Sequence, residues 1–243
     1  MSKSFLLVGG SSDIGLQLAD MLLNDGHAVT LLARDTERTR DLEARGAMVV
    51  QGDALDEEVV KEAIAQAAAQ REEGLAGLAH LVGSIALRPP HAMNIEDFQA
   101  VIQTNLTSAF LSLKLGGKAM LKSGNGRMVF TSSVAGSYGL TNHEAIAAAK
   151  GGIEAMVRAA ASTYAQRGLR VNAVAPGLTE TRLGASVLRS DAIREASVGM
   201  IPLKRINEAH EIAQSMHWLL TGAPDNFTGQ ILHLDGGMSA LRG

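Results

Sequence analysis

Short apolar runs rich in valine, leucine and isoleucine alternate with helical patterns along the whole chain, and this alternation restricts the fold more than any other feature. The runs cover 4–8, 27–33, 47–51, 78–82, 127–131, 169–174 and 230–234, and the helical patterns fall near 13–24, 56–70, 95–121, 144–167 and 208–220. Strands that are apolar on both faces need cover on both sides, as in a parallel sheet wrapped by helices. The alternation then implies a doubly wound α/β fold, read as one domain over residues 1–243. At 243 residues and 46% hydrophobic content the chain is long and apolar enough for a sizeable core. The stretch 182–207 breaks the alternation. It is the natural candidate for a substrate lid, because ligands of such folds lie beyond the carboxyl ends of the strands.

Composition narrows the function. A net charge of −3 without a basic run argues against a nucleic-acid surface. The absence of cysteine excludes disulfides, thiol catalysis and cysteine-based zinc sites, and no metal site is expected. No apolar stretch reaches transmembrane length, and the first residues run directly into a Gly/Ser turn instead of a signal segment. A soluble, cytoplasmic protein acting on a small molecule, without nucleic-acid or membrane partners, is the expectation.

The first strand leads into Gly9-Gly-Ser11-Ser12-Asp13-Ile14-Gly15 and then a helix. A glycine-rich turn at a helix N-terminus lets backbone N–H groups approach a diphosphate, and the helix dipole favours the anion. Ser11 and Ser12 add hydroxyl donors. Asp13 suits the first helical turn, yet its carboxylate would repel a phosphate unless it points away. The second strand ends in Ala33-Arg34-Asp35. An arginine there holds a 2′-phosphate, whereas an acid there accepts from a ribose 2′-hydroxyl. With Arg38 nearby, Arg34 favours NADP(H), and Asp35 leaves NAD(H) open. Asp53, followed by Ala54 after the third strand, suits an adenine amino group or a helix N-cap.

Together with Asn105, Ser133, Lys150 and Pro176-Gly177, these residues resemble the short-chain dehydrogenase/reductase family. Gly9-x-x-x-Asp13-Ile14-Gly15 is similar to the family's TGxxxGIG, with Val8 for Thr and Asp13 for the middle glycine. His80-Leu-Val-Gly83 stands where the family has NNAG, with only Gly83 kept. Thr228-Gly-Gln-Ile-Leu-His-Leu-Asp-Gly-Gly237 is close to the family's C-terminal strand and turn. The resemblance implies a Rossmann-like, seven-stranded parallel sheet with helices on both faces, a nicotinamide dinucleotide cofactor, and a homotetramer or homodimer. It assigns Asn105, Ser133 and Lys150 to catalysis. Gly83, Pro176, Gly177 and Thr181 join the phosphate-turn residues in holding the cofactor, and Lys150 also holds the nicotinamide ribose.

The family's acid is a tyrosine four residues before the lysine, and here that position is Ile146. An aliphatic side chain can neither give nor take a proton, and loss of a general acid costs about 10²–10⁴ in rate. Three groups could substitute. His143, three residues earlier, carries an imidazole able to exchange a proton, although it reads first as a surface residue at the helix start. Tyr138 could swing in from its loop or pack there. Lys150 could protonate an alkoxide itself if desolvation lowers its pKa. The expected function is hydride transfer between a nicotinamide and a carbonyl/alcohol pair with an altered proton donor, or reduction of an activated C=C bond. The alternative is a nucleotide-binding scaffold that kept the fold without the catalysis. His80 reads as a strand end and Trp218 as core.

Overall fold

The computed structural model describes residues 1–185, 187–188 and 190–241, so Arg189 of the expected lid lies outside the described residues. The chain runs β1 (Ser4–Val8), α1 (Asp13–Asn24), β2 (Ala28–Ala33), α2 (Arg40–Ala44), β3 (Met48–Gln51), α3 (Glu57–Ala69) and β4 (Leu75–His80). It continues through α4 (Ile95–Ile102), α5 (Ser108–Met120), β5 (Gly126–Thr131), α6 (Glu144–Tyr164) and β6 (Leu169–Pro176). The last part holds β7 (Thr179–Glu180), α7 (Arg182–Ala185), α8 (Asp191–Gly199), β8 (Asn207–Glu208), α9 (Ala209–Thr221) and β9 (Ile231–Leu234).

Seven of the strands form one sheet in the order β3-β2-β1-β4-β5-β6-β9, and every neighbouring pair is parallel. The fold is Rossmann-like α/β, as expected. Side-chain alternation along the strands divides the core in two. Leu6, Val8, Leu78, Met128 and Phe130 pack with Ala63, Leu113 and Val157 of α3, α5 and α6. Phe5, Leu7, Val29 and Leu31 pack on the other face with Leu18 of α1 and Ile212 and Met216 of α9. Each fully buried side chain of this kind contributes about 1.5–3 kcal/mol relative to exposure. The strand order reverses between β1 and β4, which opens a crevice beyond their carboxyl ends.

Several boundaries differ from the sequence reading. The fourth strand begins at Leu75 and ends at His80 instead of spanning 78–82. Chain direction changes after His80, where Leu81 makes a last bond from its N–H to the Val8 carbonyl. The single helix expected over 95–121 is two helices joined by a π-helical turn, Gln103–Thr107. The stretch 182–207 contains α7 and α8, and the short β7–β8 ladder ties its two ends together. Trp218 is 40% exposed and meets the Phe227 ring edge-on, so it lies at the margin of the core. No helix among the described residues is long and apolar enough to cross a membrane.

Candidate active site

The glycine-rich turn is shaped by backbone contacts. The Gly9 and Gly10 N–H groups both donate to the Leu32 carbonyl. Gly9 has φ +85°, and a Cβ there would stand 3.0 Å from the Val82 nitrogen, so both conformation and space require glycine. Ser12 caps α1, its Oγ accepting from the Gly15 N–H at 3.1 Å. The N–H groups of Ser11, Asp13 and Ile14 donate to no acceptor among the described residues. Three free donors at a helix N-terminus fit a dinucleotide diphosphate.

The Asp13 carboxylate is taken up by two arginine residues. Its Oδ1 accepts from Arg38 Nη2 at 2.6 Å, and its Oδ2 accepts from the Arg182 N–H at 2.7 Å. Partial burial pushes its carboxyl up. The Arg182 N–H and the Arg38 guanidinium outweigh this and hold it below the ordinary carboxylate value. Arg38 is thereby committed to Asp13 and to the Ser11 carbonyl, not free beside Arg34. Arg34 is well exposed, with Asp53 Oδ2 3.7 Å away. Asp53 accepts from the Leu55 N–H at 2.9 Å, while Asp56 caps α3. The N-cap reading of Asp53 is therefore corrected to a turn residue, with Ala54 buried beside it.

On the catalytic side, α6 presents Ile146, Lys150 and Glu154 at four-residue spacing, all buried. Lys150 is 5% exposed, and its Nζ donates to the Thr131 carbonyl at 2.8 Å. Burial pushes its pKa down to about 8. Asn105 sits on the π-helical turn, a local irregularity often found at functional sites. Its Nδ2 donates to the Val101 carbonyl at 2.9 Å and to Ser84 Oγ at 3.0 Å, and its Oδ1 accepts from the Ser84 N–H at 3.2 Å. A Cβ at Gly83 would stand 3.2 Å from Asn105 Oδ1 and 3.6 Å from Lys150 Nζ. The missing side chain leaves a cradle between the two.

Ser133 begins a 3₁₀ turn over Val134–Gly136, and its Oγ accepts from the Ala135 N–H at 3.2 Å. That bond uses a lone pair, so the hydroxyl proton stays available. Ile146 is 4% exposed and packs in an apolar cluster with Val101, Ala135, Ala145 and Ala149. His143 is the N-cap of α6 and not a residue of its first turn, and its Nδ1 meets the Thr141 carbonyl at 2.8 Å. Tyr138 is 42% exposed in its loop.

His80, the last residue of β4, is fully buried. The Ser108 hydroxyl donates to the Thr104 carbonyl, so the 3.0 Å contact with His80 Nε2 is a bond from the imidazole N–H. Burial, with Lys150 adding, pushes the His80 pKa down to about 3 and keeps the ring neutral. At the far end of β6, the Gly177 N–H donates to the Leu234 carbonyl. Thr181 Oγ1 accepts from the Gly184 N–H at 2.9 Å, so it starts α7 as well as facing the end of β6 in sequence.

One residue absent from the sequence reading belongs to this site. Glu154 is 4% exposed, and its Oε1 accepts from Ser132 Oγ at 2.8 Å and from Ser137 Oγ at 3.1 Å. It ties both ends of the Ser133 turn to the helix that carries Lys150. An acid in the buried register of an otherwise apolar segment, Gly151 to Val157, was its signal in the sequence. A cavity of about 690 Å³ lies elsewhere, lined by Gln17, Glu180, Arg194, Arg205 and His210 and by none of these catalytic candidates.

The chain is similar to known proteins along nearly its whole length. A family model described as enoyl-(acyl carrier protein) reductase matches residues 9–239. The 3-oxoacyl-(acyl-carrier-protein) reductase MabA of Mycobacterium tuberculosis is 30% identical over 98% of this chain and 93% of its own. The 2-(S)-hydroxypropyl-CoM dehydrogenase 3 of Xanthobacter autotrophicus is 32% identical, covering 97% and 96%. A short-chain type dehydrogenase/reductase from Mycobacterium ulcerans superposes with a TM-score of 0.92 at 27% identity, covering 100% and 93%. A putative NAD(P)-dependent gluconate 5-dehydrogenase from Beutenbergia cavernae, solved with NADP bound, gives 0.90 at 28%, covering 99% and 98%. With nearly the whole length matched in sequence and in structure, the chain belongs to the short-chain dehydrogenase/reductase family.

Proposed function

We propose that this protein is an NADP(H)-dependent oxidoreductase acting on a carbonyl/alcohol pair, with Lys150 as its proton donor. The observation that carries the reading is a buried lysine with no carboxylate partner among the described residues, beside Asn105 and one turn from an isoleucine. The free N–H groups of Ser11, Asp13 and Ile14 hold the diphosphate, Arg34 meets the 2′-phosphate, and the Gly83 cradle admits the nicotinamide side. Gly9, Ser12, Gly15, Asp53, Ala54, Pro176, Gly177 and Thr181 shape the rest of the cofactor site. Bound there, the nicotinamide supplies or accepts a hydride.

The chain's own groups handle the oxygen and the proton. Ser133 Oγ–H donates to the substrate carbonyl oxygen and stabilises charge as it develops there. Lys150 gives the proton that converts that oxygen to a hydroxyl, and burial places its pKa where such a transfer is efficient. Asn105 fixes the backbone beside Lys150. Ile146 keeps the groove dry, which strengthens both interactions. An activated C=C substrate would also suit this arrangement, since the enolate it leaves can take a proton from solvent. The segment 182–207 acts as the lid.

Nicotinamide fluorescence titration with NADPH and NADH is the first test, followed by a carbonyl and enone screen. Micromolar NADPH binding and Lys150-dependent turnover support the proposal. Dinucleotide binding with no turnover, unchanged by Ile146→Tyr, replaces it with the scaffold reading. If the missing acid is the bottleneck, Ile146→Tyr raises turnover by roughly 10²-fold or more.

A further inference from the structure

The phosphate turn carries an acid where an anion is to bind, and the structure surrounds that acid with two arginines from distant elements. Arg38 lies in a 3₁₀ turn, Glu37–Thr39, after β2, and Arg182 at the first residue of α7, the start of the lid. Arg38 Nη2 bonds Asp13 Oδ1 at 2.6 Å, and its Nη1 donates to the Ser11 carbonyl. Both side chains of that pair are about three-quarters buried. The Arg182 N–H bonds Asp13 Oδ2 at 2.7 Å, its Nε lies 3.9 Å from Oδ1, and its Nη2 donates to the Ser11 carbonyl at 3.4 Å. The three free N–H donors of the turn belong to Ser11, Ile14 and Asp13 itself.

We infer that Arg38 serves the diphosphate through Asp13: it neutralises the carboxylate so that the turn accepts an anion, while the same carboxylate hooks the lid to the turn. Arg38 is thus a positioning residue for the phosphates shared by NADH and NADPH. It is not a ligand of the 2′-phosphate, whose arginine is Arg34. The inference rests on the cofactor site proposed above.

The physical argument is one of charge. An uncompensated carboxylate one residue from a bound diphosphate repels it, and where the side chain is about three-quarters buried the repulsion is only partly screened. With Arg38 in place the local charge is balanced, and the helix dipole and the N–H donors determine binding. Removing Asp13 therefore removes the need for Arg38, and also frees the Arg182 N–H at the head of the lid.

The test measures dissociation constants for NADH and NADPH by nicotinamide fluorescence in the wild type, Arg38→Ala, Asp13→Ala and the double variant. Limited trypsin digestion of the four proteins without cofactor is followed alongside. Arg38→Ala is expected to weaken NADH and NADPH alike, by roughly five- to tenfold. The double variant is expected to bind as Asp13→Ala does. Asp13→Ala is expected to speed tryptic cleavage within 182–207. Loss of NADPH affinity alone in Arg38→Ala, or no rescue in the double variant, overturns the inference. Wild-type protein that binds neither dinucleotide refutes the proposed function instead, and unchanged lid cleavage in Asp13→Ala then rejects the hook independently.

Discussion

The two ends of the crevice are built by opposite means. At the glycine-rich turn, backbone geometry shapes the candidate site and partly buried ion pairs trim it: Gly9 must take its left-handed conformation, and Asp13, Arg38 and Arg182 balance one another. In the proposed catalytic region, burial dominates. Lys150, Asn105 and Glu154 are all nearly inaccessible, Ile146 is buried in an apolar cluster, and no opposite charge is paired with Lys150 among the described residues. The difference teaches where function is vulnerable. Exposed pairs are worth little individually and are screened by salt. A buried charged group shifts its own pKa and carries large effects when altered.

The largest effects should therefore come from the groove. Lys150→Ala is expected to lower turnover about 10³-fold or more while dinucleotide binding falls far less, as steady-state kinetics and fluorescence titration would show. Ser133→Ala should cost about 10²–10³-fold, the scale of one lost donor to a developing oxyanion. Equal turnover in wild type and Lys150→Ala would break the comparison, because the buried lysine would then be structural.

The lowered pKa of Lys150 gives two pH predictions. Reduction needs the ammonium, so its rate is expected to fall as pH rises through about 8, and oxidation should gain over the same range. Stability follows the proton balance. Lys150 titrates near 10.5 unfolded and near 8 folded, so between those values the unfolded chain binds more protons and stability rises with pH. Below about 8 both states are protonated, and the cost of burying the charge is felt in full. Lys150→Met should then stabilise the fold at pH 7 by about 1–3 kcal/mol in thermal or urea unfolding. A destabilised variant would mean that the bond to the Thr131 carbonyl outweighs the buried charge.

The contrast also explains what the sequence could and could not disclose. Strand alternation, the Gly9–Gly15 turn and the order of motifs are backbone properties, and short patterns encode them directly. The sheet, its parallel pairing and the place of Lys150 on α6 were legible for that reason. Side-chain partnerships between distant positions were not. Asp13 read as a threat to phosphate binding because Arg182, 169 positions away, is brought to it only by the fold. Glu154 could be noticed only as an acid in an apolar segment, because its partners, Ser132 and Ser137, reach it only through the turn at Ser133. The π-helical turn at Asn105 lies inside a continuous helical pattern, where one extra residue per turn leaves no periodic trace.

The smallest predicted effect belongs to the most exposed residue. Arg34 stands 77% exposed, with a loose 3.7 Å approach to Asp53 as its ion pair. An arginine this accessible gains a 2′-phosphate in water, where each charge contact is weakened by solvent and salt. Arg34→Ala should raise the NADPH dissociation constant by roughly three- to tenfold and leave NADH within about twofold, with the NADPH penalty shrinking as salt increases. The same variant removes the only cation near Asp53 among the described ion pairs, so any change in NADH binding reports on Asp53 rather than on the 2′-phosphate. A penalty shared equally by both dinucleotides would move the 2′-phosphate contact away from Arg34 and blur the division of labour between Arg34 and Arg38. A penalty confined to NADPH, beside an Arg38→Ala defect common to both, would separate a phosphate ligand from a residue that works through Asp13.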